Sequence, residues 1–346
     1  MKKKRIQRKF SLNTIVLASM ITGITVSAIA FGLGRHFPGK KKTVSVETSH
    51  PANTAIPGIR NVRLRSFHLT QPLLMAELPD ESAELEDLRS QFTGTIRKAE
   101  AGNKINSAAV YLHDLSNGHW IGVNKWEQYD PGSILKLTIL LAYLRKAQDQ
   151  PGLMDRRIYF DRPFTSVPYQ SIKGETITPG RSYPIRELIR YMLVESDNQA
   201  NALLNNNIEP TYALNVFSDL QLPVPKTDAP SLTLNCVDVS RFLRLLFNAS
   251  YTNPSLSEFA LEQLTQVRYA DGIRSTFPAG VTIAHKFGER GYANSNQKEL
   301  HETALIYLED RVILLTIMTK GNDLTSQAEL IRNISMVVAR RYSSIS

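Results

Sequence analysis

The sequence predicts an α+β fold, with one antiparallel five-stranded sheet flanked by terminal helices and interrupted by an inserted all-α subdomain. Three observations predict it. Two short strand-like runs meet at the turn Ser116-Asn117-Gly118, apolar residues recur at helical spacing from Gly132 to about Gln266, and three more strand-like runs follow between residues 281 and 319. Strands on both sides of a helical block imply one shared sheet, so the block is an insertion. A pocket is expected in the crevice between the two layers.

The chain opens with six basic residues, and residues 12–34 then form a largely apolar, uncharged segment inside "FSLNTIVLASMITGITVSAIAFGLG". That length suits a bilayer-crossing helix, and a basic flank held in the cytoplasm leaves the rest extracytoplasmic. The expectation is a cytoplasmic segment (1–11), a single-pass membrane anchor (12–34), an extracytoplasmic linker (35–66) and a folded domain (67–346). A removable signal peptide, with secretion of the remainder, is the alternative, because Ala28-Ile29-Ala30 is a small-x-small site. The stretch 37–58 has the Pro, Gly, Ser and Thr content of a tether.

Within the domain, Leu85, Leu88, Phe92 and Ile96 mark an amphipathic helix over 83–101, stopped by Gly102. "SAAVYLHD" and "HWIGVN" follow as a β-hairpin. The all-α subdomain, about 132–266, has helical periodicity in 133–147, 185–205, 210–220, 236–248 and 255–266, broken by a Pro-rich stretch between Pro163 and Pro184. "VTIAHKFG", "LHETALIYL" and "RVILLTIMT" read as three strands, and a final helix carries Leu324, Ala328, Ile331, Ile334 and Val338.

The formal charge of +9 does not indicate a nucleic-acid partner. Residues 1–66 hold thirteen Lys and Arg against Glu47 alone, which leaves the folded part mildly acidic. Cys236 is the only cysteine, so no intramolecular disulfide forms and no cysteine-based metal site exists.

Three short motifs carry possible chemistry. Ser133 and Lys136 stand three apart at a helix start, where an amine kept neutral by burial can take a hydroxyl proton. Ser196-Asp197-Asn198 follows the helix that begins near 185, and Lys286-Phe287-Gly288 lies late in a strand. Each has an ordinary reading alone: an N-cap serine with a snorkelling lysine, a helix junction, an edge-strand lysine.

The order Ser-x-x-Lys, Ser-Asp-Asn, Lys-x-Gly on a helix, a loop and a strand resembles the class A β-lactamase-like serine hydrolases of the β-lactamase and penicillin-binding protein superfamily. The resemblance spans roughly 83–342. It implies that Ser133 is the acylated nucleophile, that Lys136 is its base or proton relay, and that Ser196 passes a proton to the leaving nitrogen. Asn198 would bind the substrate's amide side chain, and Asp197 would point inward to hold its loop. Lys286 would supply positive potential. The backbone N–H groups of Ser133 and Glu289, just past Gly288, would form the oxyanion hole. Tyr169 stands loosely where the family places an aromatic at the pocket mouth, and a packed loop tyrosine fits it as well. The implied substrates are β-lactams or the D-Ala-D-Ala-type amides of peptidoglycan stem peptides, with no cofactor.

Two positions depart from the family. Class A enzymes release the acyl group with a glutamate-held water in a Glu-x-x-Leu-Asn loop, whereas "SLTLN" here puts Ser231 at the glutamate position before Leu234 and Asn235. Slow deacylation is therefore expected. Phe287 stands where the family has Thr or Ser, which removes a hydroxyl donor for a substrate carboxylate. Glu209 and Asp228 are candidate replacement bases, and surface solvation is the better reading of both. His285 and His301 are placed to face each other across adjacent strands, as a metal pair would, but no third ligand stands at metal-like spacing, so no metal is expected. A non-catalytic cell-envelope binding module is the alternative function. The complete set of Ser133, Lys136, Ser196, Asn198 and Lys286 speaks for catalysis.

Overall fold

The computed structural model describes residues 60–64, 70–168, 170–172, 174–225, 232–292 and 295–343. In chain order the elements are β1 (Arg60–Arg63), β2 (Leu73–Glu77), α1 (Glu86–Ala101), β3 (Ser107–Asp114), β4 (Trp120–Val123), α2 (Lys136–Asp149), β5 (Arg157–Phe160), β6 (Arg181–Pro184), α3 (Ile185–Val194), α4 (Asn198–Asn205), α5 (Pro210–Asp219), α6 (Cys236–Phe247), α7 (Pro254–Thr265), β7 (Thr282–Tyr292), β8 (Ser295–Tyr307), β9 (Val312–Gly321) and α8 (Leu324–Tyr342).

The predicted α+β architecture is present. One antiparallel sheet runs β4-β3-β9-β8-β7, so the early hairpin and the three late strands join where β3 pairs with β9. The alternation of side chains along a strand feeds two cores. Ala108, Val110 and Leu112 of β3, with Ile313, Leu315 and Ile317 of β9, face α1 and α8. Ala109, Tyr111, Leu314 and Met318 face the helical insertion.

Local sequence explains the helix ends. Leu88, Phe92 and Ile96 are the buried stripe of α1. Asn235 and Asp238 make a reciprocal capping box at the start of α6, and Asp323 accepts from the Ser326 amide to cap α8. Cys236, the first residue of α6, is free and buried.

Two pairings were not foreseen. β1 pairs with β2 and carries Val62 into the core, together with Leu64, both from the segment 35–66 expected to be linker. β5 pairs with β6 across the Pro-rich stretch, inside the part expected to be all-α. The helical run over 185–205 is two helices, broken at Glu195-Ser196-Asp197. The apolar segment 12–34 lies outside the described residues. Among the described residues no helix is long and apolar enough to cross a membrane.

Candidate active site

The helix carrying Ser133 and Lys136 begins with a tight turn. Gly132–Leu135 forms a 3-10 turn, and α2 proper starts at Lys136. Gly132 has φ +53°. A Cβ there would lie 2.4 Å from the Glu289 carbonyl oxygen, and a Cβ on Gly288 would lie 2.3 Å from the Pro131 carbonyl oxygen. Only glycine fits at either position, because the Gly132–Leu135 turn and strand β7 press backbone against backbone. Ser133 and Glu289 therefore sit on directly adjoining segments, with Ser133 half-buried.

The three motifs converge on one oxygen. Lys136 Nζ donates to Ser196 Oγ at 3.1 Å and also to the Ser196 carbonyl oxygen, and Lys286 Nζ donates to the same Oγ at 3.0 Å. Lys286 also donates to the Phe287 carbonyl at 3.1 Å. Among the described residues, the side-chain hydrogen bonds of Lys136 go to Ser196 and none goes to Ser133. Both lysines are buried, at 3% and 0% exposure, deeper than ammonium groups are ordinarily found.

Burial pushes the Lys136 amine down to about 7, against the pull of Asp197 and Glu289. Burial, then repulsion from Lys136, holds Lys286 well below the ordinary lysine range, against Glu289 and Glu302. Ser196 itself occupies the left-handed region, φ +55°, which a β-substituted residue adopts only when its surroundings enforce it. Two features enforce it here. Lys136 grips both its carbonyl and its hydroxyl, and Asp197 caps α4 by accepting from the Gln199 and Ala200 amides at 2.9 and 3.3 Å.

A strap, the described residues within 163–178, packs against the motif residues. It is tied down by Gln199 (to both backbone groups of Phe164), Asn198 (Nδ2 to the Pro168 carbonyl, 3.0 Å), Glu289 (Oε1 from the Ser171 and Ile172 amides, 2.6 and 3.1 Å), Glu195 (from the Glu175 amide, 3.1 Å) and Asp197 (from Thr176 Oγ1 and the Ile177 amide, 2.9 and 3.0 Å). Asn198 and Glu289 thus both face the strap. The inward orientation expected of Asp197 is present. Tyr169, Ser231 and Asp228 lie outside the described residues.

Phe287 is buried and lies against Tyr269, ring centroids 4.6 Å apart, and its own ring is 4.3 Å from Lys286 Nζ. His285 Nδ1 pairs with Glu302 at 2.6 Å, while His301 turns to the Asp130 carbonyl at 2.9 Å, so the two histidines serve different partners. Glu209 pairs with Lys146, in the last turn of α2, at 2.6 Å.

The sequence reading missed the groups around the Ser133 turn and the strap. Asp130 Oδ1 accepts from the Gly132 amide at 3.1 Å, and Arg290 Nε meets Asp130 Oδ2 at 3.1 Å. The Asp-Pro-Gly run was a legible sign of such an Asx-type turn.

Comparison with known proteins agrees with this fold. The profile of the beta-lactamase enzyme family matches residues 91–342. No curated protein matches significantly. Similar solved structures include a variant of PBP-A as its acyl-enzyme complex with penicillin G (TM-score 0.60, 17% identity, 75% of this chain and 98% of that one). Others are a beta-lactamase from Chitinophaga pinensis (TM-score 0.62, 16% identity, 74% and 99%) and a class A beta-lactamase from Mycobacterium abscessus (TM-score 0.59, 23% identity, 75% and 99%). With the profile covering well over half of its length and the fold shared along nearly the whole of these structures, the chain belongs to the beta-lactamase enzyme family.

Proposed function

We propose that this protein is a membrane-tethered, extracytoplasmic serine acyl hydrolase or acyltransferase that forms an acyl-enzyme at Ser133 with β-lactams or D-Ala-D-Ala-type amides. The observation that carries the reading is the convergence of Lys136 and Lys286 on Ser196 Oγ at 3.1 and 3.0 Å with both amines buried. Two buried lysines aimed at one hydroxyl are costly for stability and useful for moving protons.

In the proposed reaction, neutral Lys136 accepts the Ser133 hydroxyl proton as Oγ bonds to the carbonyl carbon. The negative charge then gathers on the carbonyl oxygen, beside the Ser133 and Glu289 amides. Collapse breaks the C–N bond, Ser196 gives its proton to the leaving nitrogen, and Lys136 returns one to Ser196. Lys286 keeps the Ser196 hydroxyl oriented, and Asn198 holds the acyl side chain. The PBP-A acyl-enzyme with penicillin G supports the chemistry on a related fold. With serine at position 231, where class A enzymes have their glutamate, the acyl group is released slowly.

The test is intact mass spectrometry of the full chain with a penicillin over hours. The expected result is one adduct, mapped to Ser133, that persists; an unchanged mass after long exposure overturns the reading. Rapid burst-free hydrolysis of a chromogenic cephalosporin overturns the slow-release part alone. Fractionation of cells expressing the chain, with protease added from outside, checks the tether.

A further inference from the structure

The residue that leads into the nucleophile turn is held from behind by a buried polar network unrelated to the three motifs. Asp130 is 7% exposed, and each of its polar groups has a partner. Its amide donates to Glu299 Oε2 at 2.9 Å, its carbonyl accepts from His301 Nε2 at 2.9 Å, and its carboxylate takes the Gly132 amide at 3.1 Å and Arg290 at 3.1 Å. Glu299 and His301 lie two apart on β8, so they present side chains to the same face of the sheet. Both are buried, at 1% and 0% exposure.

The network also fixes the state of the histidine. The Thr319 amide donates to His301 Nδ1 at 3.1 Å, so that nitrogen carries the lone pair and the proton of the neutral ring is on Nε2, aimed at the Asp130 carbonyl. Glu299 is held in turn by the Tyr292 hydroxyl at 2.7 Å and by Lys320 at 3.5 Å. Three hydrogen bonds and one ion pair on a single buried residue define a geometry, because any shift of Asp130 breaks one of them where water cannot replace it.

We propose that Glu299 and His301 are positioning residues for Ser133: they clamp the backbone of Asp130, whose carboxylate sets the Gly132 amide and with it the turn that presents the nucleophile. The inference rests on Ser133 being that nucleophile. A turn held by its side chain alone would rotate about the Asp130 backbone. The clamp on both backbone groups removes that freedom, as near-attack geometry requires.

The test is pre-steady-state acylation of the full chain by a chromogenic cephalosporin, which separates the maximal acylation rate from half-saturation. Glu299→Ala is expected to lower the maximal rate at least tenfold with half-saturation within twofold, and Glu299→Gln, which keeps an acceptor for the Asp130 amide, to recover it to within threefold. Equal losses in both parameters, or an unchanged rate, overturn the proposal. Should Glu299→Ala fail to fold, the same split read on His301→Gln decides. Hydrogen exchange across 129–137 supplies a readout free of activity: at least tenfold faster exchange in these variants supports the clamp, and unchanged exchange overturns it. A wild-type chain that takes no label at all sinks the assignment of Ser133, while the exchange result still decides the clamp.

Discussion

Lys136 and Lys286 lie on either side of one hydroxyl, their amines 3.1 and 3.0 Å from Ser196 Oγ. Two ammonium ions this close, within about 6 Å of each other, would repel by about 3 kcal/mol at an effective dielectric near 20. Burial adds its own penalty on each charge. Burial and this repulsion both push the amines toward the neutral form, and neutrality is what a base needs.

The rate of acylation should therefore follow the state of Lys136. Its amine titrates near 7 because of burial. Below that pH it is protonated and cannot accept the Ser133 proton, so the rate is expected to rise through pH 7 and level off above. Labelling rates measured between pH 5 and 9 check this, and a rate that is flat or falls across the window contradicts Lys136 as base.

Removing the shared hydroxyl isolates the relay. Ser196→Ala leaves both amines without their common acceptor and is expected to slow acylation by about 10²- to 10³-fold, within the range for general acid–base groups. Lys136 keeps its bond to the residue 196 carbonyl, so the site geometry should persist. Stopped-flow acylation with thermal melting on the same sample tells a lost proton path from a collapsed site.

Gly132 is predicted to be intolerant. Alanine there would meet the Glu289 carbonyl at 2.4 Å while holding φ +53°, and the combined overlap and strain should cost about 3 kcal/mol. Urea denaturation of Gly132→Ala measures it. A loss below about 1 kcal/mol would mean that the turn and β7 are not in tight contact.

Glu289→Gln tests the strap. The carboxylate accepts two amides, from Ser171 and Ile172, and hydrogen bonds to a charged acceptor contribute about 1.5–3 kcal/mol each. The variant is expected to expose the strap to limited proteolysis at least several-fold faster, with the global melting temperature nearly unchanged. Equal cleavage rates would show that the other ties suffice.

The frame was legible because its signals are periodic: Leu88, Phe92 and Ile96 of α1, or the alternation of Ala108, Val110 and Leu112 along β3, repeat in the sequence the geometry they adopt. β1 was not, because Val62 and Leu64 are isolated among Arg60, Arg63 and Arg65, and a four-residue strand offers too few positions for alternation to show. The motif residues were readable by their order along the chain. Glu299 and His301 were not, since a buried acid–histidine group on a strand has no characteristic spacing and takes its meaning only from a partner far away in sequence. The strap was hidden for a related reason: its ties run from side chains to backbone amides and carbonyls, and backbone partners leave no mark on residue identity.

That strap also bears on how such a site could change its substrate. Asn198 and Glu289, which contact substrate in the proposed reaction, are the same residues whose side chains fasten Pro168, Ser171 and Ile172 of the strap. Altering either for a new acyl group simultaneously releases part of the strap, so selectivity and strap shape cannot vary as independent traits. Drift in substrate range would proceed by paired changes, one at the pocket wall and one within 163–178, and a directed-evolution library that varies the two regions together should outperform libraries confined to either.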